Sequence, residues 1–152
     1  MTTSPNKTIT SISWDAIHSD LRTLAARLDK HPEARWQGIV AVTRGGLVPA
    51  AILARELDIR LIETVCVASY EDQKAGPVEI LKPPGHALKS QGNGWLLIDD
   101  IVDTGATVRA IRELLPKAFF ATLYAKSKTK DLVDLYLHEA DPDQWIEFPW
   151  ER

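Results

Sequence analysis

Two adjacent carboxylates, Asp99 and Asp100, follow an apolar run, Trp95 to Ile98, which is typical of a β-strand. Neighbouring carboxylates repel each other and are costly to bury, so packing alone does not favour two of them there. In open α/β sheets, ligands bind at the carboxyl ends of the strands. Carboxylates at that edge suit a hydrated Mg²⁺ ion or the hydroxyls of a ribose. The pair therefore predicts a site for a metal ion or a sugar.

A small-residue turn, Thr104 to Thr107, comes next and opens a predicted helix from Thr104 to Leu115. Backbone N–H groups, two hydroxyls and the helix dipole converge there, which favours a bound phosphate. Asp103 precedes the turn, and a carboxylate aimed at a phosphate would be repelled. Two interpretations of Asp103 stay open: a proton acceptor facing a reacting centre, or an N-cap of the helix.

A second turn, Arg44-Gly45-Gly46, ends the apolar run from Ile39 to Thr43. Glycines allow close approach of a ligand, and an arginine can donate two hydrogen bonds to a phosphate. A plain strand-to-helix turn has the same pattern, but together with the carboxylate segment it indicates two phosphate sites on one sheet edge. No Gly-Lys-Ser/Thr occurs, which excludes a P-loop, and no glutamate closes an EF-hand loop.

The elements that must position these turns alternate along the chain. A first helix follows Ser13, a plausible N-cap, because apolar residues recur at steps of three and four from Trp14 to Leu28. Alternation of strands and helices implies parallel pairing, and uniformly apolar strands imply a sheet covered on both faces. We therefore predict an α/β fold, a mostly parallel sheet flanked by helices. The other predicted elements are strands at 61–69 and 119–125 and a helix at 48–57.

The remaining segments carry weaker signals. Residues 1–12 are expected to form a flexible tail, and the long polar stretch after Ser69 to contain a hairpin strand at Val78 to Lys82. Residues 126–152 look irregular, with a possible strand or short helix near 132–137. A length of 152 residues fits one domain, 1–152.

Composition limits the function classes. A net charge of −3, from 18 basic and 21 acidic residues, gives the whole domain no attraction to nucleic acid. The single cysteine, Cys66, excludes a disulfide framework and a Cys-rich metal site, and its apolar surroundings predict a buried, inert thiol. No apolar stretch approaches the length of a membrane span or forms a secretion signal, so a cytoplasmic location is expected, with peripheral membrane association left open.

The segment Leu96 to Thr107 resembles the phosphoribosyl pyrophosphate (PRPP) signature of type I phosphoribosyltransferases. The similarity covers most of residues 14–150 and is greatest to the bacterial branch of that family that uses xanthine and guanine. Further segments carry it: 43–49, 53–57, 69–70, 124–126 and 144–150.

The resemblance implies a role for each matching residue. The Arg44-Gly45 junction would hold the pyrophosphate with backbone groups, through a cis non-proline peptide. Asp99 and Asp100 would face the ribose hydroxyls and Mg²⁺, with Asp100 as the metal partner. The implied PRPP and phosphate site comprises Arg44, Gly45, Asp99, Asp100, Ile101, Val102, Asp103, Thr104, Gly105, Ala106 and Thr107.

The base site is implied in the same way. Asp103 would lie near N7 of the purine, Lys126 would donate to its O6, and Trp145 would stack on the ring while the backbone of Ile146 reads the 2-substituent. Residues 126–152 would form a hood over the base, and residues 69–82 a mobile lid.

The implied activity is Mg²⁺-dependent transfer of phosphoribose from PRPP to a 6-oxopurine in purine salvage, giving GMP or XMP, by a homotetramer or homodimer. A hypoxanthine-preferring transferase and a non-catalytic PRPP- or nucleotide-binding regulator are the alternatives. The sequence departs from the family pattern at two positions. Gly76 stands where the family's lid carries an arginine, a role that Lys74 could take over. Ala106 stands where the family's phosphate loop has a second glycine.

Overall fold

The computed structural model describes residues 7–69 and 77–152. Half of the predicted lid, residues 70–76 including Lys74 and Gly76, therefore lies outside the described residues. The elements are β1 (Thr8–Ser11), α1 (Trp14–Asp29), β2 (Gly38–Thr43), α2 (Leu47–Glu56), β3 (Ile62–Ser69), β4 (Val78–Lys82), α3 (Gly85–Leu88), β5 (Trp95–Val102), α4 (Ala106–Leu114), β6 (Phe119–Lys126), β7 (Leu135–Ala140) and β8 (Gln144–Glu147), with 3₁₀ turns at Lys130–Leu132 and Pro149–Glu151.

Six strands form the central sheet, in the order β4-β3-β2-β5-β6-β7. Every neighbouring pair is parallel except β3 and β4, which run antiparallel. The α/β fold with a mostly parallel sheet is thus confirmed, and so is the hairpin strand at 78–82. The strand order brings β2, β5 and β6 side by side, so the segments that follow them share one edge of the sheet.

The central strands are covered on both faces, as their uniformly apolar sequences predict. Along β5, Leu96 and Ile98 pack into the core with α1 and α2, whereas Trp95 and Leu97 pack on the opposite side with α4. Successive strand residues point to opposite faces, so a strand buried on both sides needs apolar residues at every position. Three layers result, with the sheet in the middle.

Helix α1 follows its sequence pattern closely. The Ser13 side chain accepts a hydrogen bond from the Ala16 amide at 3.1 Å, as an N-cap does. Four members of the apolar series are buried, namely Ile17, Leu21, Leu24 and Leu28. The fifth, Trp14, is 54% exposed, since at the first helical position its ring lies at the end of the buried stripe, beside Trp150.

The predicted flexible tail is wrong for residues 8–11, which form β1. This strand pairs in parallel with β8, Thr8 opposite Gln144 and Ser11 opposite Glu147. The Ser11 hydroxyl also donates to the Glu147 carboxylate at 2.9 Å, and the Ile12 amide donates to the Glu147 carbonyl at 2.9 Å. A strand of four residues whose partner is over a hundred residues away leaves no local signal in the sequence.

The irregular character expected for residues 126–152 is also wrong. They contain β7, which extends the central sheet, and β8, with a 3₁₀ turn beyond each of β6 and β8. Polar residues occur in both strands, because neither is buried along its whole length. The possible strand near 132–137 lies a few residues later, at 135–140. The buried thiol expected at Cys66 is only partly buried.

One carboxylate fixes the start of β6. Asp134 Oδ2 accepts hydrogen bonds from the Arg112 guanidinium at 2.6 Å and from the Phe120 amide at 2.8 Å.

We expect Asp134→Ala to lower the free energy of unfolding by about 1–2 kcal/mol, because it leaves a backbone donor of a central strand without its partner. Urea unfolding monitored by circular dichroism measures this. Glu139→Ala, which removes an exposed partner of Lys130 at 3.4 Å, is the control and is expected to change little. Equal losses in the two variants would contradict the prediction.

Candidate active site

The carboxyl edge of β2, β5 and β6 gathers most of the residues singled out in the sequence. Strand β5 runs through Val102 rather than ending at Ile98, so Asp99 and Asp100 lie inside the strand. The turn at 44–46 follows β2, and Lys126 is the last residue of β6. Three neighbouring parallel strands therefore present their final residues to one region, which is where an α/β sheet binds ligands.

The two carboxylates are held by backbone donors. Asp99 Oδ1 accepts from the Asp100 amide at 2.8 Å, and Asp100 Oδ1 accepts from the Ile101 amide at 2.7 Å. Asp100 is 8% exposed. Burial and the negative charge of Asp100 raise the pKa of Asp99 well above its usual value, and burial raises the pKa of Asp100. Without a bound cation, the state in which both carboxylates are ionised is therefore destabilised. A cation between or beside them would relieve this cost, so the pair favours cation binding.

This destabilisation has a measurable consequence at Asp99. Because its pKa is raised on folding, the group favours the folded state at low pH and opposes it as pH rises through the folded-state pKa. We expect Asp99→Asn to raise the free energy of unfolding at pH 7 by about 1 kcal/mol, since one pKa unit is worth about 1.4 kcal/mol. Below pH 4 the gain is expected to vanish. Urea unfolding without divalent cations, at both pH values, measures it.

Asp143→Asn is the matched control, since Asp143 is exposed. A variant that is no more stable than the parent at pH 7, or that keeps its advantage at low pH, would show that Asp99 carries no such penalty.

A cavity of about 660 Å³ lies between the carboxylates and the turn after β2, where Arg44 and Gly45 form part of its lining. The cis peptide bond is Thr43–Arg44, one residue before the Arg44-Gly45 junction. A Cβ built on Gly45 would overlap the Asp100 carboxylate. The backbone of this turn therefore lies directly against a buried carboxylate, an approach that only glycine permits.

A second cavity, of about 250 Å³, is formed by the small-residue turn, and we call it the cradle cavity. Its lining includes Ile101 and Val102 from β5 and the whole of Asp103 to Thr107. Gly105 has a φ of +86° and is the N-cap residue of α4, while Ala106 has no positive φ and starts the helix. The helix begins two residues later than predicted, so Thr104 and Gly105 belong to the loop. Because Gly105 is the N-cap of α4, Asp103 is not, and that interpretation of Asp103 is wrong. Because Ala106 has a negative φ, alanine fits there without strain.

A third and smaller cavity, of about 70 Å³, lies against β8, and we call it the base cavity. The residues expected to bind a base line it together: Asp103, Lys126, Trp145 and Ile146. Trp145 is 37% exposed and Ile146 is buried, so the ring offers a face to solvent while its neighbour anchors the strand. These four positions thus line one cavity, and their binding of a base stays a prediction.

Lys126 is buried beneath the loop that leads into β8. Its ammonium group donates to the backbone carbonyls of Asp141, at 3.1 Å, and Gln144, and lies 3.5 Å from that of Pro142. An ammonium has three donors, so the longest of these contacts is the one that can be exchanged for a ligand oxygen. The same side chain therefore holds the loop and faces the base cavity.

Asp103 and Ile101 line both the cradle cavity and the base cavity, and of the two only Asp103 is ionisable. The backbone carbonyl of Asp103 accepts from the Thr129 hydroxyl at 2.7 Å, which ties the turn to the segment after β6. Asp103 therefore lies at the junction of the two cavities.

Trp150 and Glu151 are among the lining residues that the sequence did not predict. Both line the 660 Å³ cavity together with Arg44, and Glu151 also lines the base cavity. No local pattern marks either residue as part of a site, because their placement depends on the 3₁₀ turn after β8.

The carboxylates fit a magnesium ion. Mg²⁺ is usually held by one or two carboxylates together with substrate phosphates and water. Among residues 7–69 and 77–152, no group of three or more His, Cys, Asp or Glu side chains is placed to hold a metal by itself. A buried carboxylate, Asp100, and a partly buried one, Asp99, lie beside cavities wide enough for phosphate groups, which is the arrangement in which a substrate supplies the remaining ligands. Within the same residues, no helix is long and apolar enough to cross a bilayer.

Comparison with known proteins covers nearly the whole chain. Residues 13–151 match the phosphoribosyl transferase domain family. The chain is 52% identical over 141 residues to the xanthine-guanine phosphoribosyltransferase of Chromohalobacter salexigens, covering 93% of this chain and 83% of that protein. It is 47% identical over 142 residues to the protein of the same name from Nitratidesulfovibrio vulgaris, covering 92% and 83%. The solved purine phosphoribosyltransferase from Pyrococcus horikoshii aligns with a TM-score of 0.78 at 27% identity, covering 95% of this chain and 94% of that one.

Proposed function

Because the chain belongs to the phosphoribosyl transferase domain family, we propose that it transfers the 5-phosphoribosyl group of PRPP to N9 of a 6-oxopurine, as a purine salvage enzyme. The products are a nucleoside monophosphate, GMP or XMP, and pyrophosphate. The observation that carries the proposal is the position of Asp103 between the cradle cavity and the base cavity, beside the buried carboxylate pair. A nucleotide has a phosphate, a ribose and a base in that order, and the cradle cavity, the carboxylates and the base cavity follow the same order.

Each part of the substrate has a counterpart in the chain. The 5′-phosphate binds in the turn at 104–107, where a helix start and two hydroxyls favour an anion. The ribose hydroxyls face the Asp99 and Asp100 side, and the pyrophosphate extends over Gly45 toward Arg44. Asp100 would hold the Mg²⁺ ion that accompanies PRPP, and the ion would supply neutralisation of the charge on the pyrophosphate.

In the transfer, the bond from C1 of the ribose to pyrophosphate breaks and a bond from C1 to N9 of the purine forms. The Asp103 carboxylate accepts the proton that the purine loses, at N7. Lys126 donates to the oxygen at position 6, which favours guanine, xanthine and hypoxanthine over adenine, because a 6-amino group is itself a donor. Trp145 stacks on the ring, and the hood excludes water that would hydrolyse the ribosyl centre.

The test is nucleotide formation from PRPP and Mg²⁺, with guanine, xanthine, hypoxanthine and adenine supplied separately and the products resolved by chromatography. Turnover of guanine or xanthine, with little of adenine, is expected. Hypoxanthine as the best substrate would identify the chain as a hypoxanthine-preferring transferase. PRPP or nucleotide binding without turnover of any base would overturn the enzymatic proposal in favour of a regulator with this fold.

A further inference from the structure

The indole of Trp150 is held in one orientation at the edge of the 660 Å³ cavity. Its ring is stacked on Phe148, with centroids 4.9 Å apart and an interplanar angle of 4°. On another side Trp14 packs against it, with centroids 6.1 Å apart at 59°. Aromatic contacts of this kind fix the direction of the N–H bond as well as the ring.

That N–H bond has no hydrogen-bond acceptor. The nitrogen, Nε1, is fully buried and makes no hydrogen bond within the residues that the structure describes. A buried indole N–H normally finds a partner, and leaving one without costs stability, whereas phenylalanine would fill the same stack without that cost. A buried donor without an acceptor at the edge of a ligand cavity therefore suggests a partner that arrives or moves when the ligand binds.

Asp100 is the acceptor within reach. It lines the same cavity as Trp150, and the indole N–H is near enough to favour the ionised carboxylate. The geometry of a hydrogen bond between them is nevertheless not met. One carboxylate oxygen, Oδ1, already accepts from the Ile101 amide at 2.7 Å. The Gly45 backbone covers the carboxylate on another side, so its freedom to move is small. The missing bond therefore requires a movement of the Asp100 carboxylate and the indole N–H toward each other.

We propose that Trp150 is a positioning residue whose indole N–H donates to the Asp100 carboxylate when the Mg²⁺ complex of PRPP binds, and so holds that carboxylate in the orientation that the metal requires. This inference rests on the proposed function, because it assigns Trp150 a part in recognising its first substrate. Metal partners are commonly oriented by a hydrogen bond from a neighbouring residue, and loss of such a bond typically weakens metal affinity 10- to 100-fold.

The test compares Trp150→Phe, which keeps the aromatic stack and removes only the N–H, with Trp14→Phe, which alters the same stack away from the cavity. Calorimetry measures binding of PRPP in the presence of Mg²⁺ and of GMP in its absence. Trp150→Phe is expected to weaken PRPP binding about tenfold and to leave GMP binding within about twofold. Trp14→Phe is expected to change neither. In turnover assays the loss appears in KM for PRPP more than in kcat.

A second measurement asks whether Trp150 acts through Asp100. The dissociation constants for PRPP in the presence of Mg²⁺, measured for Trp150→Phe, Asp100→Asn and the double variant, form a cycle that needs no turnover. Losses of affinity that do not add are expected, because Trp150 acts through Asp100 in the bound state and its removal weakens binding no further once Asp100 is replaced. Additive losses would overturn the proposal, and so would equal weakening of PRPP and GMP by Trp150→Phe, which indicates a structural role only. Failure of the parent protein to turn over any base while it still binds PRPP would instead count against the proposed function, and the binding cycle would still decide whether Trp150 acts through Asp100.

Discussion

Replacing Asp103 by asparagine is expected to lower kcat with guanine by about 10²- to 10⁴-fold, the range typical for removal of a general acid or base. Asparagine keeps the size and one oxygen of the side chain, but it cannot accept the proton that the purine loses. The residue lines both the cradle cavity and the base cavity, whereas Asp99 lines only the first of these two cavities and Glu151 only the second, so neither is expected to take over this function. Initial rates with saturating PRPP and Mg²⁺ measure the effect.

Two controls separate chemistry from binding and folding. Asp131→Asn changes an exposed aspartate that lines none of the three cavities, and it is expected to leave kcat within about twofold of the parent value. KM for PRPP in Asp103→Asn is expected to stay within a few-fold of the parent, because the phosphate turn is retained. A loss of less than fivefold in kcat would mean that Asp103 does not take the proton.

A single methyl group at Gly45 is expected to lower kcat/KM for PRPP by about 10²-fold or more, the cost of misplacing a binding group by about 1 Å. The Cβ of Gly45→Ala would overlap the Asp100 carboxylate. Gly45 has no positive φ, so alanine suits the backbone and the side chain of Asp100 must move instead. The expected result is a folded protein with a displaced carboxylate, measured by steady-state kinetics and by calorimetry with PRPP.

Two other glycines provide matched controls. A Cβ at Gly85 would meet nothing within 4 Å, so Gly85→Ala is expected to be neutral. A Cβ at Gly46 would overlap the carbonyl oxygen of Ile98, so Gly46→Ala is expected to cost about 1–3 kcal/mol of stability through crowding of the sheet. The prediction for Gly45 is contradicted if Gly45→Ala and Gly85→Ala bind PRPP equally well.

The parts of the fold that could be predicted from sequence are those whose signal is local. Strand β2 and the first half of β5, Trp95 to Ile98, are continuous apolar runs, and a turn of characteristic residues follows each strand, so both the strands and the cradle were expected within a few positions. Helix α1 combines an N-cap with apolar residues at helical spacing. Burial on both faces of a sheet demands such runs, so the pattern and the structure have a common cause.

The parts that could not be predicted depend on distant partners. Strand β1 is polar at alternate positions, and Ile9 is 65% exposed, so only its pairing with β8 defines it. The carbonyl contacts of Lys126 and the placement of Trp150 likewise follow from a loop and a turn whose positions are set by the sheet. The roles of Lys126 and Trp145 came from family resemblance rather than from spacing, because isolated lysines and tryptophans carry no pattern of their own.

The pairing of β1 with β8 also affects the order in which the protein can assemble during synthesis. Ser11 and Glu147, which join these strands, are 136 residues apart. Residues 8–11 leave the ribosome early and have no strand to pair with until residues 144–147 have emerged, whereas residues 95–107 are available some forty positions sooner. A nascent chain can therefore form the turn at 104–107 before residues 144–147 have emerged, and it completes the base cavity only afterwards.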